Sequence, residues 1–414
     1  MKILIHGINF APELTGIGKY SGEMAEWLAA QGHEVRVVTA PPYYPQWRIG
    51  DGYANGWQVE GPYVRNRDER GGLTIYRCPL WVPSKPSGLK RLLHLIGFAL
   101  SSFPIMFRLV FWRADVVLVV EPPFFCAPQA WLAARLSGAK AWLHIQDFEV
   151  DAAYELGILR ADWLKRWVLV AERLLMRRFD RVSTISAKML ERLAGKGVAP
   201  DRAVLFPNWV DLGEIYPLAA ESGFRRRLGL LPNQVVALYS GNMGEKQGLE
   251  IVLEAAAKLQ ENSVIRFVLC GDGAARLRLQ EKYAGLANVV WLPLQPLEML
   301  NELLNMADVH LLPQRGDIAD LVMPSKLLGM LATGRPVLTT ARADTQVGGI
   351  VSQCGAVARS DNACAFLEAL ISLADDPVQR KRLGMIGRQI AEKQFSKEAV
   401  LRKFEQELKG VCRA

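Results

Sequence analysis

The sequence is short of the residues that most often announce a mechanism. It has five histidines in 414 residues, and no two stand at the spacing of a metal-ligating pair. Six cysteines (Cys78, Cys126, Cys270, Cys354, Cys364 and Cys412) form no C-x-x-C and lie near no histidine at ligand spacing. That argues against a zinc site or a disulfide frame and for reduced thiols in a cytosolic core. Acids are the minority charge, 42 against 50 Lys+Arg, for a net charge of +8. No Asp-x-Asp follows a strand pattern, so the carboxylates that usually bridge Mg²⁺ or Mn²⁺ to a phosphate are missing. There is no G-x-S-x-G, no G-x-G-x-x-G and no Walker lysine pattern. The opening run KILIHG has neither a charged leader nor a cleavage site and leads into a Gly-rich turn, unlike a signal peptide. Short repeats and low-complexity tracts are absent. Basic residues are not gathered in one arm or motif, which gives little support to a nucleic-acid binder.

What is present is a globular composition, 50% hydrophobic and 22% charged, long enough for two domains. The positive excess suits an anionic partner such as nucleotide phosphates or lipid head groups, and equally a merely soluble basic surface. KILIHG (2–7), VRVVTA (35–40), DVVLVV (115–120), AWLHIQ (141–146) and RVSTIS (181–186) read as buried strands. Between the first two, Tyr20, Met24, Trp27 and Leu28 fall on one helical face, with Gly32 as a stop. Strand, helix, strand in this order implies a parallel sheet with right-handed crossovers. The alternation restarts at VVALYSG (235–241), IRFVLCG (265–271), VVWLPL (289–294), DVHLLP (308–313) and PVLTTA (336–341). Helical patterns cover 248–260, 274–284, 297–306, 325–333 and 362–374. The expected class is α/β, two doubly wound Rossmann-like domains facing across a cleft, 1–208 and 209–394, joined at LFPNWVDLGEIYP (205–217). Residues 395–414 form a last helix, a possible crossover able to pack on either domain. Ligands of such sheets bind beyond the carboxyl ends of the strands.

The unusual residues fall there. Gly16 and Gly18 precede a helix, as an anion-binding turn or a plain strand–helix connection. AWLHIQDFEVD places His144, Asp147, Glu149 and Asp151 at or past a strand end. His144 suits a hydrogen-bond donor or base and Asp147 a hydroxyl-orienting acid; the alternative is a polar cluster capping the next helix. In SGNMGEKQGLE, Gly241, Gly244 and Gly248 allow close backbone approach beside Asn242 and Lys246, which suits a diphosphate. CGDG repeats the theme with Gly271 and Gly273. In DLVMPSKLLGMLATGRP, Pro324 suits a helix start, Ser325 can bond free N–H groups, and Lys326 adds a cation. Residues 89–113, LKRLLHLIGFALSSFPIMFRLVFWR, are long and apolar but interrupted by His94, Pro104 and Arg108. They read as a segment in the membrane interface or as a buried helix, rather than as a span of about 20 clean apolar residues. LKRWVLVAERLLMRRF (164–179) is a second basic amphipathic segment.

Together, GINFAPELTGIGKYSGEMAEWLAAQGHEVRVVTAPPYYPQW, HIQDFEVDA, FPNWVD, YSGNMGEKQGLE, GDG and PSKLLGMLATGRPV resemble glycosyltransferase family 4 on the GT-B fold. The resemblance implies a nucleotide-sugar-binding C-terminal domain and an acceptor-binding N-terminal one. It implies donor phosphates or acceptor near Gly16 and Gly18, the diphosphate on Lys246, and His144 near the anomeric centre. Asn242 stands where the family usually has an arginine. Leu321 and Gly329 stand where it often has two glutamates for sugar and ribose; Asp320 is adjacent, and Ser325 and Lys326 are the expected substitutes. The implied activity is a metal-independent, retaining hexosyl transfer without a cofactor. The donor is a nucleoside-diphosphate sugar, GDP-fucose, and the acceptor a polyprenyl-diphosphate-linked saccharide in exopolysaccharide synthesis. The expected location is cytoplasmic, peripheral on the anionic inner face of the cytoplasmic membrane. A non-catalytic scaffold is the rival reading, and an epimerase or phosphorylase on the same fold finds no motif.

Overall fold

A computed structural model describes residues 1–13, 16–63, 72–85, 88–148, 162–262, 264–315, 324–342, 344–360 and 362–413. The chain divides into two compact units, Met1–Pro207 with Leu401–Ala414, and Asn208–Val400.

The first unit is an eight-stranded sheet of β1 (Lys2–His6), β2 (Glu34–Thr39), β3 (Gln58–Tyr63), β4 (Gly72–Arg77), β5 (Val116–Glu121), β6 (Lys140–Ile145), β7 (Arg181–Thr184) and β8 (Ala203–Leu205), in the order β3-β4-β2-β1-β5-β6-β7-β8. β5 reads VVLVVE and is buried at every position because β1 and β6 flank it and helices cover it. The sheet is parallel except that β3 pairs antiparallel with β4 at the edge. This edge hairpin is absent from the apolar-run pattern, since QVEGPY is half-buried to exposed and carries no apolar run. The helix Gly88–Leu109 crosses from β4 to β5, accommodates Pro104, and seats His94, Leu95, Phe98, Ser102, Met106 and Leu109 in the unit. The C-terminal residues complete this unit: Phe404 stacks on Phe206 at 3.9 Å and meets Trp142 edge-on at 5.2 Å, while Glu405 accepts from His33 at 2.9 Å.

The second unit is an all-parallel sheet of β9 (Val235–Ser240), β10 (Ile265–Cys270), β11 (Val289–Leu292), β12 (Val309–Leu312), β13 (Val337–Thr340) and β14 (Gly355–Ala358), in the order β11-β10-β9-β12-β13-β14. The strand order reverses between β9 and β12, as it does between β1 and β5 in the first sheet, and such a reversal opens a crevice at the strand ends. The helix Gln346–Cys354 and β14 carry weak apolar patterns and were not among the expected elements.

Candidate active site

Three loops meet where β9, β10 and β12 end. Gly241 and Gly271 both have φ near +139°, and a Cβ on Gly271 would collide with the Gly241 carbonyl oxygen, so glycine there lets two backbones touch. Gly273, at φ +153°, would place a Cβ 2.5 Å from Asn242 Oδ1 and 2.6 Å from the Met243 backbone. Met243 N–H donates to Asp272 O at 2.7 Å, and the Arg276 guanidinium donates to Gly271 O at 2.7 Å. Across the reversal, Arg315 N–H donates to Lys246 O at 3.3 Å, which ties the loop after β12 to the loop after β9.

The helix Ser325–Ala332 begins at this junction. Pro324 is its capping residue and no side chain caps it, so the bond expected from Ser325 is not formed; Ser325 is the first helical residue and is exposed. The free N–H groups of that first turn are an anion-favouring end. Lys326 follows. Its ammonium lies 4.5 Å over the Tyr239 ring and 3.2 Å from the Tyr239 hydroxyl. That hydroxyl donates to Asn242 O, which leaves its oxygen free to accept from the lysine. Burial alone pulls the Lys326 pKa down to about 8. Among the described residues no carboxylate forms an ion pair with it. A desolvated ammonium beside glycine backbone, without a counter-charge, favours an incoming anion.

Lys246 is exposed in the turn Glu245–Gln247. The adjacent carboxylates Glu245 and Glu250 are taken up by Arg278 at 2.8 and 2.6 Å, so they do not claim the lysine. Gly329 is half-buried in mid-helix, while Asp320 and Leu321 lie outside the described residues.

The remaining sequence-predicted residues belong to the first unit. Gly16 is exposed at φ +63°, and Gly18 is buried where a Cβ would collide with the carboxylate of Glu13. Glu13 accepts from the N–H groups of Tyr43 and Tyr44, each at 3.1 Å, and burial raises its pKa. Buried Arg77 holds Ala11 O at 2.9 Å and Ala40 O at 3.0 Å and pairs with Glu60. His144 is buried in β6, with Nδ1 2.9 Å from Ser183 Oγ and Nε2 3.0 Å from the Gln146 amide. Burial lowers its pKa to about 3, so the ring is neutral at physiological pH. Asp147 is half-buried just past the strand; Glu149 and Asp151 lie outside the described residues. The structure thus gathers Gly241, Asn242, Gly271, Gly273 and Lys326 into one junction with the Lys246 turn tied to it, and carries Gly16, Gly18, His144 and Asp147 on the other unit.

Residues 15–209 match a glycosyl transferase 4-like domain and residues 234–376 match the glycosyl transferases group 1. Over 99% of its length and 100% of the relative's, the chain is 43% identical to the putative colanic acid biosynthesis glycosyl transferase WcaI of Escherichia coli K12. The chain belongs to glycosyltransferase family 4. Its backbone is similar to that of the sucrose-phosphate synthase of Thermosynechococcus elongatus, with a TM-score of 0.75 at 17% identity, covering 99% of this chain and 98% of that one. It is also similar to HepE of Anabaena in complex with UDP-glucose, at TM-score 0.68 and 13% identity over 99% and 100% of the two chains. The fold is therefore GT-B.

In this glycosyltransferase, sequence reasoning missed Tyr239, Arg276 and Glu13. Tyr239 had a signal, a phenol in an otherwise aliphatic buried strand, which burial forces to find a partner. Arg276 had one too, a cation three residues past a GDG turn. Glu13 gave none, because its partners Tyr43 and Tyr44 lie 30 and 31 residues away.

Proposed function

We propose that this glycosyltransferase moves L-fucose from GDP-fucose to a polyprenyl-diphosphate-linked saccharide during synthesis of an exopolysaccharide of the colanic acid type, with retention and without a metal ion. The observation that carries the reading is Lys326, a desolvated ammonium at the end of β9 that lies over the Tyr239 ring and forms no ion pair with a carboxylate among the described residues. In glycosyl transfer the leaving group is a nucleoside diphosphate, and preorganised positive charge where its negative charge develops lowers the barrier most. Lys326 and the first turn of its helix supply that charge from one side, Lys246 from the solvent side. Gly241, Gly271 and Gly273 let phosphate or ribose lie against the backbone, with Asn242 and Ser325 at the rim. On the first unit we assign Asp147 to acceptor positioning. His144, neutral and held by Ser183 and Gln146, fixes the strand end that presents it. The 43% identity to a putative colanic acid glycosyl transferase supports the pathway. A scaffold role fits less well, because a scaffold has no use for a desolvated lysine that opposes folding.

A thermal-shift panel of GDP-, UDP- and ADP-sugars, run with and without EDTA, tests this. GDP-fucose is expected to raise the midpoint most, because a ligand that binds only the folded state stabilises it. No shift with any nucleotide sugar, or a shift abolished by EDTA, overturns the corresponding part.

A further inference from the structure

The helix Gly88–Leu109 is apolar on two faces. One row is built into the first unit: Ser102 Oγ lies 3.0 Å from both His6 Nε2 and Gln129 Nε2, and His94 Nδ1 lies 2.7 Å from Trp81 O. The opposite row, Leu89, Leu93, Leu100, Phe103 and Phe107, faces outward, with Leu100 71% and Phe107 52% exposed. A helix apolar all round is normally covered on every side. With the turn that follows it, this one is long and apolar enough to span a membrane, yet spanning would strip the inner row from the sheet.

Two further helices, Ala127–Ser137 and Asp162–Met176, share its face. The crossovers β4→β5, β5→β6 and β6→β7 advance in one direction along the sheet, so right-handed connections put all three on one side. Phe98 and Met106, Ala130 and Ala133, and Met176 accordingly share one core cluster with Leu4, Val117 and Leu143. Between the first two helices, Phe103, Phe107 and Val110 face Leu132 and Leu136 across a shallow apolar groove. Trp57, 62% exposed, donates its indole N–H to Ser101 O and so lies across the helix that carries the row. Trp167 is exposed on the third helix.

Charge selects what covers this face. From Arg70 to Ala114 and from Pro122 to Gln146 the sequence holds no Asp or Glu, while Lys90, Arg91, Arg108 and Arg135 are exposed there. A second copy seated face to face would bring like charges together. An anionic bilayer takes both parts, hydrocarbon for the apolar rows and phosphates for the cations, with tryptophan at the boundary.

We infer that this three-helix face docks on an anionic lipid bilayer, the outward row and the shallow groove beside it sunk to the acyl boundary. It deepens the proposal of a lipid-linked acceptor and rests on it. The full chain is sedimented with phosphatidylglycerol vesicles and with phosphatidylcholine vesicles, and Trp57 emission is quenched with brominated lipid. Binding to the anionic vesicles is expected, and Phe103→Asp with Phe107→Asp should weaken it by about tenfold or more. Lys90→Glu with Arg108→Glu should remove its salt dependence. Both pairs are exposed, and an unchanged circular dichroism spectrum and unfolding midpoint of the full chain verify that the variants fold. Absence of wild-type binding, an unchanged partition in the phenylalanine pair, or a concentration-dependent dimer that the same pair dissociates would overturn the inference. Vesicle binding without stabilisation by any nucleotide sugar would leave the docking face standing and remove the proposed function instead.

Discussion

The two sheets reverse their strand order at equivalent places and differ in what stands there. After β1, a buried carboxylate, Glu13, fills the turn, braced by two backbone N–H groups and overlooked by Arg77. After β9, the turn is lined by glycine, and an ammonium, Lys326, has no counter-charge among the described residues. The same α/β device, a glycine-rich turn into a helix, has thus been closed by an acid in one unit and kept open to anions in the other. A glycine near a helix start is therefore not itself a phosphate signal. What decides is whether its missing Cβ makes room for the protein's own side chain, as at Gly18, or for the approach of two backbones, as at Gly271.

Substitutions can break that comparison. Gly271→Ala forces a collision with Gly241 at positive φ and is expected to cost about 3 kcal/mol, where Gly16→Ala, exposed and uncrowded, should cost about 1 kcal/mol. Denaturant unfolding measures both, and equal costs would deny the close packing of the second unit's loops.

Lys326→Met should weaken nucleoside-diphosphate binding about 100-fold by calorimetry, the worth of a charge-assisted contact. Glu13→Gln should leave it within about twofold, and a comparable loss there would move the diphosphate to the first unit. The same lysine sets a pH dependence. Its folded value of about 8 lies below the ordinary lysine value of 10.5, so below about 8 it is charged and binding is full. As pH rises further, affinity falls by at most about tenfold per unit. The unliganded protein moves the opposite way: between those values the unfolded chain binds the extra proton, so stability rises with pH, and Lys326→Met should melt higher than the wild type.

The units should also part company in acid. His6, His33, His94 and His144 lie in the first unit and His310 in the second, and burial is the leading cause that lowers all of them. A histidine held near 3 in the fold and at 6.5 unfolded gives stability that is present above 6.5 and is lost as pH falls toward 3. Hydrogen exchange near pH 4.5 should therefore show β1 and β6 losing protection before β9 and β10. Lys246→Ala should cost less than Lys326→Met, about tenfold or less in diphosphate affinity by calorimetry, since that side chain is exposed and screened.

Much of this was legible beforehand, and the limits have physical reasons. Most strands of both sheets stood out because buried parallel strands are almost wholly apolar, as in the VVLVV of β5; β8 and β14, short and weakly patterned, did not. The β3–β4 edge did not, because an edge strand with one face in water needs no such run. Lys326 could be read as a cation at a helix start. Its seat over the Tyr239 ring could not, since Tyr239 lies 87 residues away in the sequence. His144 was expected near the chemistry because it ends a strand. β6 lies between β5 and β7, and the ring packs on Phe206 beneath the returning C-terminal helix.

That returning helix has a consequence for how the chain is made. Trp142, Phe206 and His33 receive their partners Phe404 and Glu405 from a stretch made only after the whole of the second unit. The unit encoded first therefore finishes folding last, after the segment encoded between has had time to set. Removing residues 401–413 would injure the amino-terminal half of the protein, far from the cut in sequence.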